Sequence, residues 1–540
     1  MTIIDYDKDY IYFKGTSHDG HNMKAQYVKS KNAWKIPISL SVLTDLEFYA
    51  GPLEMRKLSR LISDLLKYRK EVLQIKRAED ISGDERLRPY QRVDVAFIKK
   101  RKNTAIFNEQ RTGKTPTILL AIEEHLGKGI VVCPSGLKVN WAREYTTWLA
   151  RDDVQVVSGT PTKRKHIYED FKSGKTSFII LSYETLRQDL SHLMGVKHDV
   201  LIVDEAHRLR NFQTRQSKAV YNLSKSAEHV YPMTGTPAVN HPSDVYGILK
   251  LIRPTKFSSY WSFVERYFGY TEGRFGREVL GINPTMEAEL TELLDSMSVQ
   301  RKRKDVMQWV PKITHRVIPL ELEATQEREY NTILKEFRVG ERDIIPNAIV
   351  QLLRLRQVCL YPELLGLKGK SPKTNFILEY IQDNDDTIIV FSQFTSYLKK
   401  LHDIIPDSVL LTGEQSTSEK QEAVDAIQSG KSRILLANII AGGTGWTLDK
   451  VDTIIFTDKS FNPVDNEQAQ DRFVPTRQDL SYGAKQIIDL VMEKTVENRI
   501  ATLLHHKQNV IQFVNNYGLN TLVNEEDFKN NIGDSYEIHN

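Results

Sequence analysis

Nearly continuous apolar runs alternate with longer stretches of helical apolar spacing in two separate blocks of the chain. Such runs are typical of parallel strands that helices cover on both faces, and their alternation with helices is typical of α/β domains. We therefore predict an α/β protein with two parallel-sheet lobes, at about residues 82–255 and 371–500. The strands of the first lobe are predicted at 104–107, 130–132, 178–181, 200–203 and 230–233. Those of the second lobe are predicted at 387–391, 409–411, 433–437, 453–457 and 486–491.

The segments outside the two lobes have other patterns. Residues 256–370 are predicted to be helical insertions, because part of this segment carries heptad-like apolar spacing. Residues 1–81 are predicted to form a small N-terminal α+β module, and a C-terminal helix and tail are expected over 501–540. The predicted elements are strands at 10–13 and 25–28 and helices at 53–72, 286–297 and 348–360.

Composition indicates a folded protein whose positive charge is local. With 40% hydrophobic and 27% charged residues in 540, the chain is globular in composition and too long for one core. The formal net charge is only +4, so a nucleic-acid footprint would have to lie at basic runs such as 98–102, 163–165 and 301–304. By themselves, such runs are more often solvated surface than DNA contacts.

The cysteines and the N-terminal residues bear on metal sites, disulfides and cellular location. Cys133 and Cys359 lie far apart without a neighbouring Cys or His at ligand spacing, so neither a zinc site nor a disulfide framework is predicted. The first residues lack a basic segment followed by an apolar one, and no stretch approaches the roughly 18 apolar residues of a membrane span. We therefore expect a cytoplasmic protein, or a nuclear one if it is eukaryotic, with no membrane contact.

A candidate phosphate loop occupies residues 108–115, directly after a predicted strand and before a helix. Backbone amides at a helix N-terminus bind phosphate oxygens, and Gly113 allows a close approach. Lys114 would reach the β and γ phosphates, and Thr115 would ligate Mg²⁺. Pro116 suits the first helical turn, where its missing N–H needs no partner. A chance Gly-Lys-Thr at a helix start is the alternative interpretation.

An acidic pair, Asp204 and Glu205, follows the apolar run Leu201-Ile202-Val203. The carboxyl end of a parallel strand is where open α/β sheets bind ligands. Asp204 is therefore expected to hold Mg²⁺, and Glu205 to orient or deprotonate the attacking water. An acidic surface turn is the alternative, which the position after a buried strand disfavours.

With these two elements in order, the chain resembles a Swi/Snf-family ATPase of helicase superfamily two over roughly residues 85–510. The resemblance implies two RecA-like lobes, ATP and Mg²⁺ as cofactors, and duplex DNA as the track. In the first lobe it rests on segments 87–91, 131–137 with Asn140, Trp141 and Glu144, 181–186, 234–237 with Asn240, and 301–306 through 311–312. In the second lobe it rests on segments 389–394, 441–448, 461–463 with Asp458, and 468–472.

The resemblance also implies roles for individual residues. Gln91 would contact the adenine base, and Arg472 would stabilise charge on the transferred phosphoryl group. The expected catalytic residues are Lys114, Asp204, Glu205, Gln468 and Arg472. The expected nucleotide-binding residues are Arg88, Gln91, Thr112, Gly113, Lys114, Thr115, Gly445 and Arg472, with Thr115 and Asp204 at the metal. The expected DNA-contacting residues are Ser135, Lys138, Ser182, Tyr183, Gln393, Gly443 and Thr444.

Two positions depart from the family pattern. Arg111 stands where the family usually has a glycine in the phosphate loop, and Pro475 stands where it usually has a second arginine, with Arg477 at a usual glycine position. An arginine that stabilises charge on the transferred phosphoryl group increases the rate of hydrolysis by about 10³- to 10⁵-fold. We hypothesise that Arg111 supplies the missing guanidinium. The alternatives are that Arg111 faces solvent or pairs with Glu109.

The leading functional interpretation is an ATP-dependent double-stranded DNA translocase that remodels, reanneals or clears DNA. It would be a monomer that grips mainly the phosphate backbone. A strand-separating DNA or RNA helicase and a catalytically weak DNA-binding relative are the alternatives. Residues 1–81 faintly resemble the N-terminal module of annealing helicases, and a structural cap is an equal alternative.

Overall fold

The chain divides between Val306 and Met307 into two units, Met1–Val306 (unit 1) and Met307–Asn540 (unit 2), in the computed structural model of the protein. The residues that the structure describes are 1–505 apart from 8, 9, 24, 39–45, 47–49, 238–241, 274, 275, 337, 340–342, 345, 346, 443–445 and 476–481.

Unit 1 begins with a small antiparallel sheet. Its elements are β1 (Thr2–Tyr6), β2 (Tyr10–Lys14), α1 (Ser17–Asn22), β3 (Gln26–Val28), β4 (Ala33–Pro37) and α2 (Ser59–Arg77). The strand order is β1-β2-β4-β3, and the inward-facing side chains of Ile11, Phe13 and Ile36 are almost completely buried. β2, an interior strand of this sheet, is buried along its first four residues. The predicted α+β module is therefore present.

The main sheet of unit 1 is fully parallel and has seven strands in the order β13-β5-β10-β9-β6-β8-β7. The strands are β5 (Ala105–Ile106), β6 (Gly129–Cys133), β7 (Val154–Val156), β8 (Phe178–Ser182), β9 (His198–Asp204), β10 (Ala227–Met233) and β13 (Ser298–Val299). The helices up to β10 are α3 (Pro89–Arg101), α4 (Lys114–Ile122), α5 (Lys138–Leu149), α6 (Pro161–Ser173), α7 (Tyr183–Leu193) and α8 (Arg215–Ser224). Apolar clusters lie on both faces of this sheet, which explains the continuous apolar runs in the sequence.

The sheet register brings the carboxyl ends of the central strands to one level. Met233 at the end of β10 is paired with Ile106 of β5 on one side and with Asp204 of β9 on the other. The loops that follow these three strands therefore emerge side by side at the same edge, where open parallel sheets bind ligands.

The last part of unit 1 is not wholly helical, so the prediction for 256–370 is wrong in part. Helices α9 (Tyr246–Ile252) and α10 (Tyr260–Tyr267) are followed by an antiparallel hairpin, β11 (Phe268–Gly273) and β12 (Gly276–Ile282). Helix α11 (Glu287–Met297) matches the predicted apolar spacing, and the chain then returns to the main sheet as β13 before the short α12 (Arg303–Val306). β13 has only two residues, which is too short for a periodic signal.

Unit 2 contains a six-stranded parallel sheet in the order β14-β21-β20-β17-β19-β18. Its strands are β14 (Ile313–Leu320), β17 (Ile388–Ser392), β18 (Val409–Leu411), β19 (Ile434–Asn438), β20 (Thr453–Phe456) and β21 (Lys485–Met492), and a short hairpin pairs β15 (Arg338–Val339) with β16 (Asp343–Ile344). Its helices are α13 (Ala324–Glu336), α14 (Ala348–Leu360), α15 (Pro372–Asp383), α16 (Thr395–Ile404), α17 (Thr417–Ser429), α18 (Ile439–Gly442), α19 (Pro463–Asp471) and α20 (Val496–His505).

Every predicted strand of the two lobes is present, within a few residues at each end, which confirms the α/β fold class. The strands that the sequence did not predict are β7, β13 and β14 in the main sheets, β1 and β4 in the N-terminal sheet, and the two hairpins. β14 lies at the sheet edge with a mostly exposed side-chain pattern and contains Pro319, so it lacks the apolar run of a buried strand. None of the described helices is both long and apolar enough to cross a membrane.

Candidate nucleotide-binding site

The phosphate loop of unit 1 connects the end of β5 to the first residue of α4. Gly113 caps α4 with φ 78° and ψ 45°, a left-handed conformation that glycine adopts without steric cost. A Cβ built on Gly113 would come within 2.3 Å of the Gln91 side-chain nitrogen. The helix starts at Lys114, so Pro116 lies in the first turn as predicted.

Lys114 and Thr112 bond to the backbone of the phosphate loop. Lys114 Nζ donates to the backbone oxygens of Asn108 at 3.0 Å and Glu109 at 3.2 Å. Thr112 is fully buried, and its hydroxyl donates to the Glu109 oxygen at 2.7 Å. The ammonium group is therefore drawn back against the loop backbone, while Thr115, the expected Mg²⁺ ligand, is half-buried in the first turn of α4.

Helix α3 supports the loop through its first turn. The Arg88 backbone N–H donates to Gln91 Oε1 at 2.9 Å, and Gln91 Nε2 donates to the Thr112 oxygen at 3.3 Å and the Gly113 oxygen at 3.1 Å. The Tyr90 hydroxyl also donates to the Thr112 oxygen, at 2.8 Å. Gln91 thus lies beside the loop, as its expected role requires, with its amide bonded to protein atoms. An adenine contact by Gln91 stays a prediction.

Asp204 lies at the carboxyl end of β9 and is almost completely buried. Trp141 Nε1, from α5, donates to Asp204 Oδ2 at 2.9 Å, and the Glu205 N–H donates to Oδ1 at 2.9 Å. Burial and the nearby Glu205 carboxylate raise the pKa of Asp204 to about 6, while the bond from Trp141 and the charge of Lys114 oppose that rise. The sheet register places the loop after β5 and the acidic pair after β9 at the same edge, and the Lys114 charge acts on Asp204 from there.

Glu205 has left-handed backbone geometry, with φ 50°. A non-glycine residue at positive φ is uncommon, and strained residues of this kind cluster at functional sites. His207 Nδ1 lies 3.3 Å from Glu205 Oε2 and 3.1 Å from the Thr234 hydroxyl. His207 therefore connects the acidic pair to the segment 234–237 that follows β10.

Gly235 brings this segment against the phosphate loop. A Cβ built on Gly235 would lie 3.3 Å from the Gln110 backbone nitrogen and 3.2 Å from Gln110 Cγ. The Thr234 hydroxyl accepts the Thr236 N–H at 3.1 Å, which fixes the turn. Segment 234–236 is thus placed between the phosphate loop and His207. Asn240, which belongs to the same predicted motif, lies outside the described residues.

The expected DNA contacts of unit 1 fall into two groups. Ser135 is exposed at the start of a short 3-10 helix after β6, and Lys138 is half-buried with Nζ donating to the Val157 oxygen at 3.0 Å. Ser182 and Tyr183 are buried instead. The Ser182 hydroxyl caps α7 by accepting the Thr185 N–H, and the Tyr183 hydroxyl donates to the Asp204 backbone oxygen at 2.6 Å. Their burial does not support DNA contacts by these two side chains.

Gln393 of unit 2 belongs to a buried polar cluster at the end of β17. Arg356 on α14 donates to Gln393 Oε1 at 2.9 Å and to Asp458 Oδ2 at 3.2 Å, and its guanidinium lies 4.5 Å from the centre of the Phe461 ring. The Asp458 carboxylate also accepts bonds from Thr457 and from the Gln393 N–H. Gln393 is half-buried, and its DNA contact stays a prediction.

The remaining predicted residues of unit 2 lie on or near α19. Gln468 is a half-buried residue of this helix, and Arg472 caps its C-terminal end and accepts the Leu448 N–H on its backbone oxygen at 3.0 Å. Pro475 is buried. Gly443, Thr444, Gly445 and Arg477 lie outside the described residues. The catalytic roles of Gln468 and Arg472 stay predictions.

Several cations of the three basic runs form ion pairs or hydrogen bonds within unit 1. Lys99 pairs with Glu124 at 2.6 Å, Arg101 Nε donates to the Ser296 oxygen at 2.9 Å, and Arg164 makes two bonds to Asp189. Arg301 pairs with the buried Asp94. These cations therefore serve intramolecular contacts, which agrees with the caution that a short basic run is weak support for a DNA footprint.

Arg111 also has an unusual backbone. Its φ is 68°, inside the left-handed region that favours glycine, and the side chain is half-buried. The left-handed backbone explains why a glycine is usual at this position in the family. This chain has an arginine there, whose Cβ makes the same backbone conformation less favourable. Neither the proposed guanidinium role nor the pairing with Glu109 is tested by this geometry.

Sequence reasoning missed the roles of several supporting residues. Trp141 was assigned to a DNA-facing segment but reaches Asp204, and neither His207 nor Arg356 was given a role. Arg356 carries a signal, because an arginine stands among the apolar residues of the 348–360 helix. For Trp141, the sequence shows only a tryptophan in a helix near the site, and nothing in it indicates the contact with Asp204.

The fold and this site define a two-unit protein with a phosphate loop and an acidic pair at the carboxyl ends of parallel strands. The family model of the SNF2-related domain matches residues 23–364, which is more than half of the chain, and the helicase conserved C-terminal domain matches residues 372–474. The chain therefore belongs to the SNF2-related family.

Curated relatives are similar over most of this chain. Protein CHROMATIN REMODELING 4 of Arabidopsis thaliana is 27% identical over 78% of this chain and 20% of its own length. Chromodomain-helicase-DNA-binding protein 1-like of Danio rerio is 28% identical over 72% of this chain and 40% of its own length. The chain thus spans between about a fifth and two fifths of these relatives.

A solved structure is similar over most of both chains. The SWI2/SNF2 ATPase core of Sulfolobus solfataricus in complex with dsDNA is 22% identical, covers 83% of this chain and 97% of that chain, and has a TM-score of 0.39. The fold assignment rests on the two parallel sheets themselves.

Proposed function

We propose that this protein is an ATP-driven motor that moves along double-stranded DNA and uses ATP hydrolysis to remodel, reanneal or clear it. The observation that carries the proposal is the position of the phosphate loop and of the acidic pair Asp204 and Glu205 at one edge of the sheet, with Trp141 and His207 holding the acidic pair. A catalytically weak relative has no need for this set of supported residues. Membership of the SNF2-related family supports the same assignment.

In the proposed reaction the phosphate loop binds the β and γ phosphates through its backbone amides and Lys114. Lys114 would exchange its bonds to Asn108 and Glu109 for bonds to phosphate. Glu205, held by His207, would orient or deprotonate the attacking water. Arg472 is proposed to stabilise the charge that develops on the transferred phosphoryl group.

The residues present fit a Mg²⁺ ion that enters with the nucleotide. No cluster of three or more His, Cys, Asp or Glu able to hold a metal occurs among the described residues. Mg²⁺ usually binds through one or two carboxylates and substrate phosphates, so Asp204 and the Thr115 hydroxyl are a sufficient protein contribution. The ion would neutralise charge on the phosphates.

Duplex DNA is the proposed track, held through its phosphate backbone. A sequence-independent grip predicts that affinity falls steeply with salt concentration. Among the residues of unit 1 that are expected to contact DNA, Ser135 is exposed, and Lys138 is half-buried a few residues further along the chain. A strand-separating helicase remains the second candidate, and a forked duplex distinguishes it, because a translocase hydrolyses ATP on the fork without releasing a strand.

The deciding experiment measures ATP turnover with duplex DNA, single-stranded DNA, RNA or no nucleic acid. We expect the largest stimulation by duplex DNA. The Glu205→Gln variant should lose about 10² to 10⁴ in turnover, the usual contribution of a positioned acid or base, and should still bind ATP. Turnover that no DNA stimulates would defeat the motor proposal.

A further inference from the structure

The segment that follows β13 runs beside the start of the phosphate loop. The pairing of β13 with β5 continues past both strands, since the Phe107 N–H donates to the Val299 oxygen at 2.8 Å and the Glu109 N–H to the Arg301 oxygen at 2.9 Å. The Arg303 N–H then donates to Glu109 Oε2 at 2.7 Å. Residues 299–303 therefore form a backbone strap along the first residues of the loop.

A buried ion pair fastens this strap to α3. Arg301 donates to Asp94 Oδ1 from Nε at 2.8 Å and from Nη2 at 2.7 Å. The Asp94 side chain has no exposed surface, whereas that of Arg301 is partly exposed. Charge-assisted bonds of this two-pronged kind fix geometry as well as adding energy. Burial raises the pKa of the Asp94 carboxyl, and Arg301 and Asn108 hold it lower than burial alone would.

The other oxygen of Asp94 holds the phosphate loop itself. Asn108 Nδ2 donates to Asp94 Oδ2 at 2.7 Å, and the Asn108 backbone oxygen accepts Lys114 Nζ at 3.0 Å. Asn108 is fully buried, and its Oδ1 has no hydrogen-bond partner among the described residues. A continuous set of bonds therefore runs from Arg301 through Asp94 and Asn108 to Lys114, the residue expected to grip phosphate.

We propose that Asp94 and Arg301 are positioning residues for ATP hydrolysis, which hold the phosphate loop so that Lys114 and the loop amides meet the phosphates. The inference rests on the proposed ATPase function. Asp94 lies one turn after Gln91 on α3, and Gln91 holds the far end of the loop at Thr112 and Gly113. Helix α3 therefore grips both ends of the loop, and Arg301 fixes the strap that continues toward unit 2.

A purely structural ion pair would also bury Asp94, so the test must separate stability from loop geometry. We would measure kcat and KM for ATP at saturating duplex DNA, together with thermal unfolding, in Arg301→Met, Asp94→Asn and the double variant. A loop displaced by about 1 Å costs on the order of 10²-fold in rate. We expect each single variant to lose at least about tenfold in kcat/KM, and the double variant to lose little more than the worse single one, because both act through one bond set.

Arg266→Met is the matched control. Arg266 also donates two bonds to one carboxylate, that of Glu289 in unit 1, although it reaches both oxygens where Arg301 reaches one. Both side chains are almost completely buried, and Arg266 Nη1 donates to the Met23 backbone oxygen. This variant should lower the unfolding temperature while leaving kcat/KM within about threefold of wild type. Arg301→Lys keeps the charge but not the two-pronged geometry, so its kcat/KM should fall less than that of Arg301→Met. It also provides a test if Arg301→Met fails to fold.

The outcomes separate this inference from the proposed function. If the wild-type protein shows no DNA-stimulated turnover, the ATPase proposal fails. If the wild type is active while folded Arg301→Met, Arg301→Lys and Asp94→Asn keep kcat/KM within about threefold, the pair is only structural and the inference is overturned. An equal loss of kcat/KM in Arg266→Met would overturn it as well, because the loss would then follow stability rather than the loop.

Discussion

Trp141 Nε1 donates a hydrogen bond to Asp204 Oδ2 at 2.9 Å, and both side chains are buried. The indole therefore fixes the orientation of the carboxylate expected to hold Mg²⁺. Partners that orient a metal ligand typically contribute 10- to 100-fold in metal affinity or activity. The Trp141→Phe variant, which keeps an aromatic side chain of smaller size and loses the N–H, should need about tenfold more Mg²⁺ for half-maximal ATP turnover, as measured by Mg²⁺ titration.

Trp148→Phe is the control for this prediction. Trp148 lies on the same helix, α5, and donates to the Glu144 carboxylate at 2.9 Å, so it loses an equivalent bond away from the site. Its Mg²⁺ requirement should match wild type. Equal Mg²⁺ curves for Trp141→Phe and wild type would show that the indole does not orient Asp204 for metal binding.

Much of this arrangement could be predicted from local sequence, and some of it could not. Buried parallel strands consist of apolar runs, so ten strands of the two main sheets were predicted, while the two-residue β13 and the exposed edge strand β14 carry no such run. Asp204 and Glu205 were predicted because they stand at the end of an apolar run, and Lys114 because it belongs to a short motif between an apolar run and a helix. These signals lie within a few neighbouring residues.

Contacts between distant segments leave no local signal. Trp141 and Asp204 are 63 residues apart, and Asp94 and Arg301 are 207 apart. No spacing rule connects such pairs, because the sheet order rather than the chain order makes them neighbours. The segment that begins at Arg301 could be recognised as basic and as resembling the family, but the contact of Arg301 with Asp94 depends on β13, which the sequence did not predict.

Arg356 should be a major stabilising residue of unit 2. Its guanidinium is buried and bonds to Asp458, Gln393 and the Lys459 backbone oxygen. Removing one member of a buried pair leaves an uncompensated charge and typically costs about 3–5 kcal/mol. Arg356→Met should lower the free energy of unfolding of unit 2 by about this amount, as measured by urea denaturation followed through a probe in unit 2.

Arg354→Met tests whether this loss is specific. Arg354 lies on the same helix and donates to Gln357 at 2.8 Å, without a buried acidic partner in that bond. Its replacement should cost less than about 1 kcal/mol, the usual range for one exposed or half-buried polar contact. Similar losses for Arg354→Met and Arg356→Met would contradict the prediction.

Lys485 should make the stability of unit 2 depend on pH. Burial lowers the pKa of Lys485 from 10.5 to about 8, and its ammonium group donates to the backbone oxygens of Asp449 and Val451. Between about pH 8 and 10.5 the unfolded chain binds the proton that the folded chain has released. Stability from this group therefore rises with pH across that window.

The Lys485→Met variant isolates this effect. The unfolding free energy of wild type minus that of the variant should increase from pH 8 to 10.5 by at most about 3 kcal/mol, since one pKa unit corresponds to about 1.4 kcal/mol. Denaturant curves at several pH values measure the difference. A constant difference across this range would mean that Lys485 titrates alike in the folded and unfolded chains.

Arg111 should make the protein less stable than a glycine at the same position would. A left-handed backbone costs a residue with a side chain about 1–2 kcal/mol, and replacement by glycine removes this cost. Glycine also gives the unfolded chain more conformational freedom, which offsets about 0.5–1 kcal/mol of the stabilisation. With φ at 68°, Arg111→Gly should therefore unfold at a slightly higher temperature than wild type, by about 1 kcal/mol or less in free energy. Arg111→Ala keeps the strained backbone and should not gain stability.

The same two variants test the guanidinium. If Arg111 stabilises charge on the transferred phosphoryl group, Arg111→Gly and Arg111→Ala should lose DNA-stimulated turnover alike, by up to about 10³-fold. Only Arg111→Gly relieves the backbone strain, so an equal loss would come from the missing guanidinium. Arg472→Ala is expected to abolish turnover in either case. Unchanged turnover in Arg111→Gly beside an inactive Arg472→Ala would show that Arg472 acts without help from Arg111, and that the strained arginine has no catalytic part.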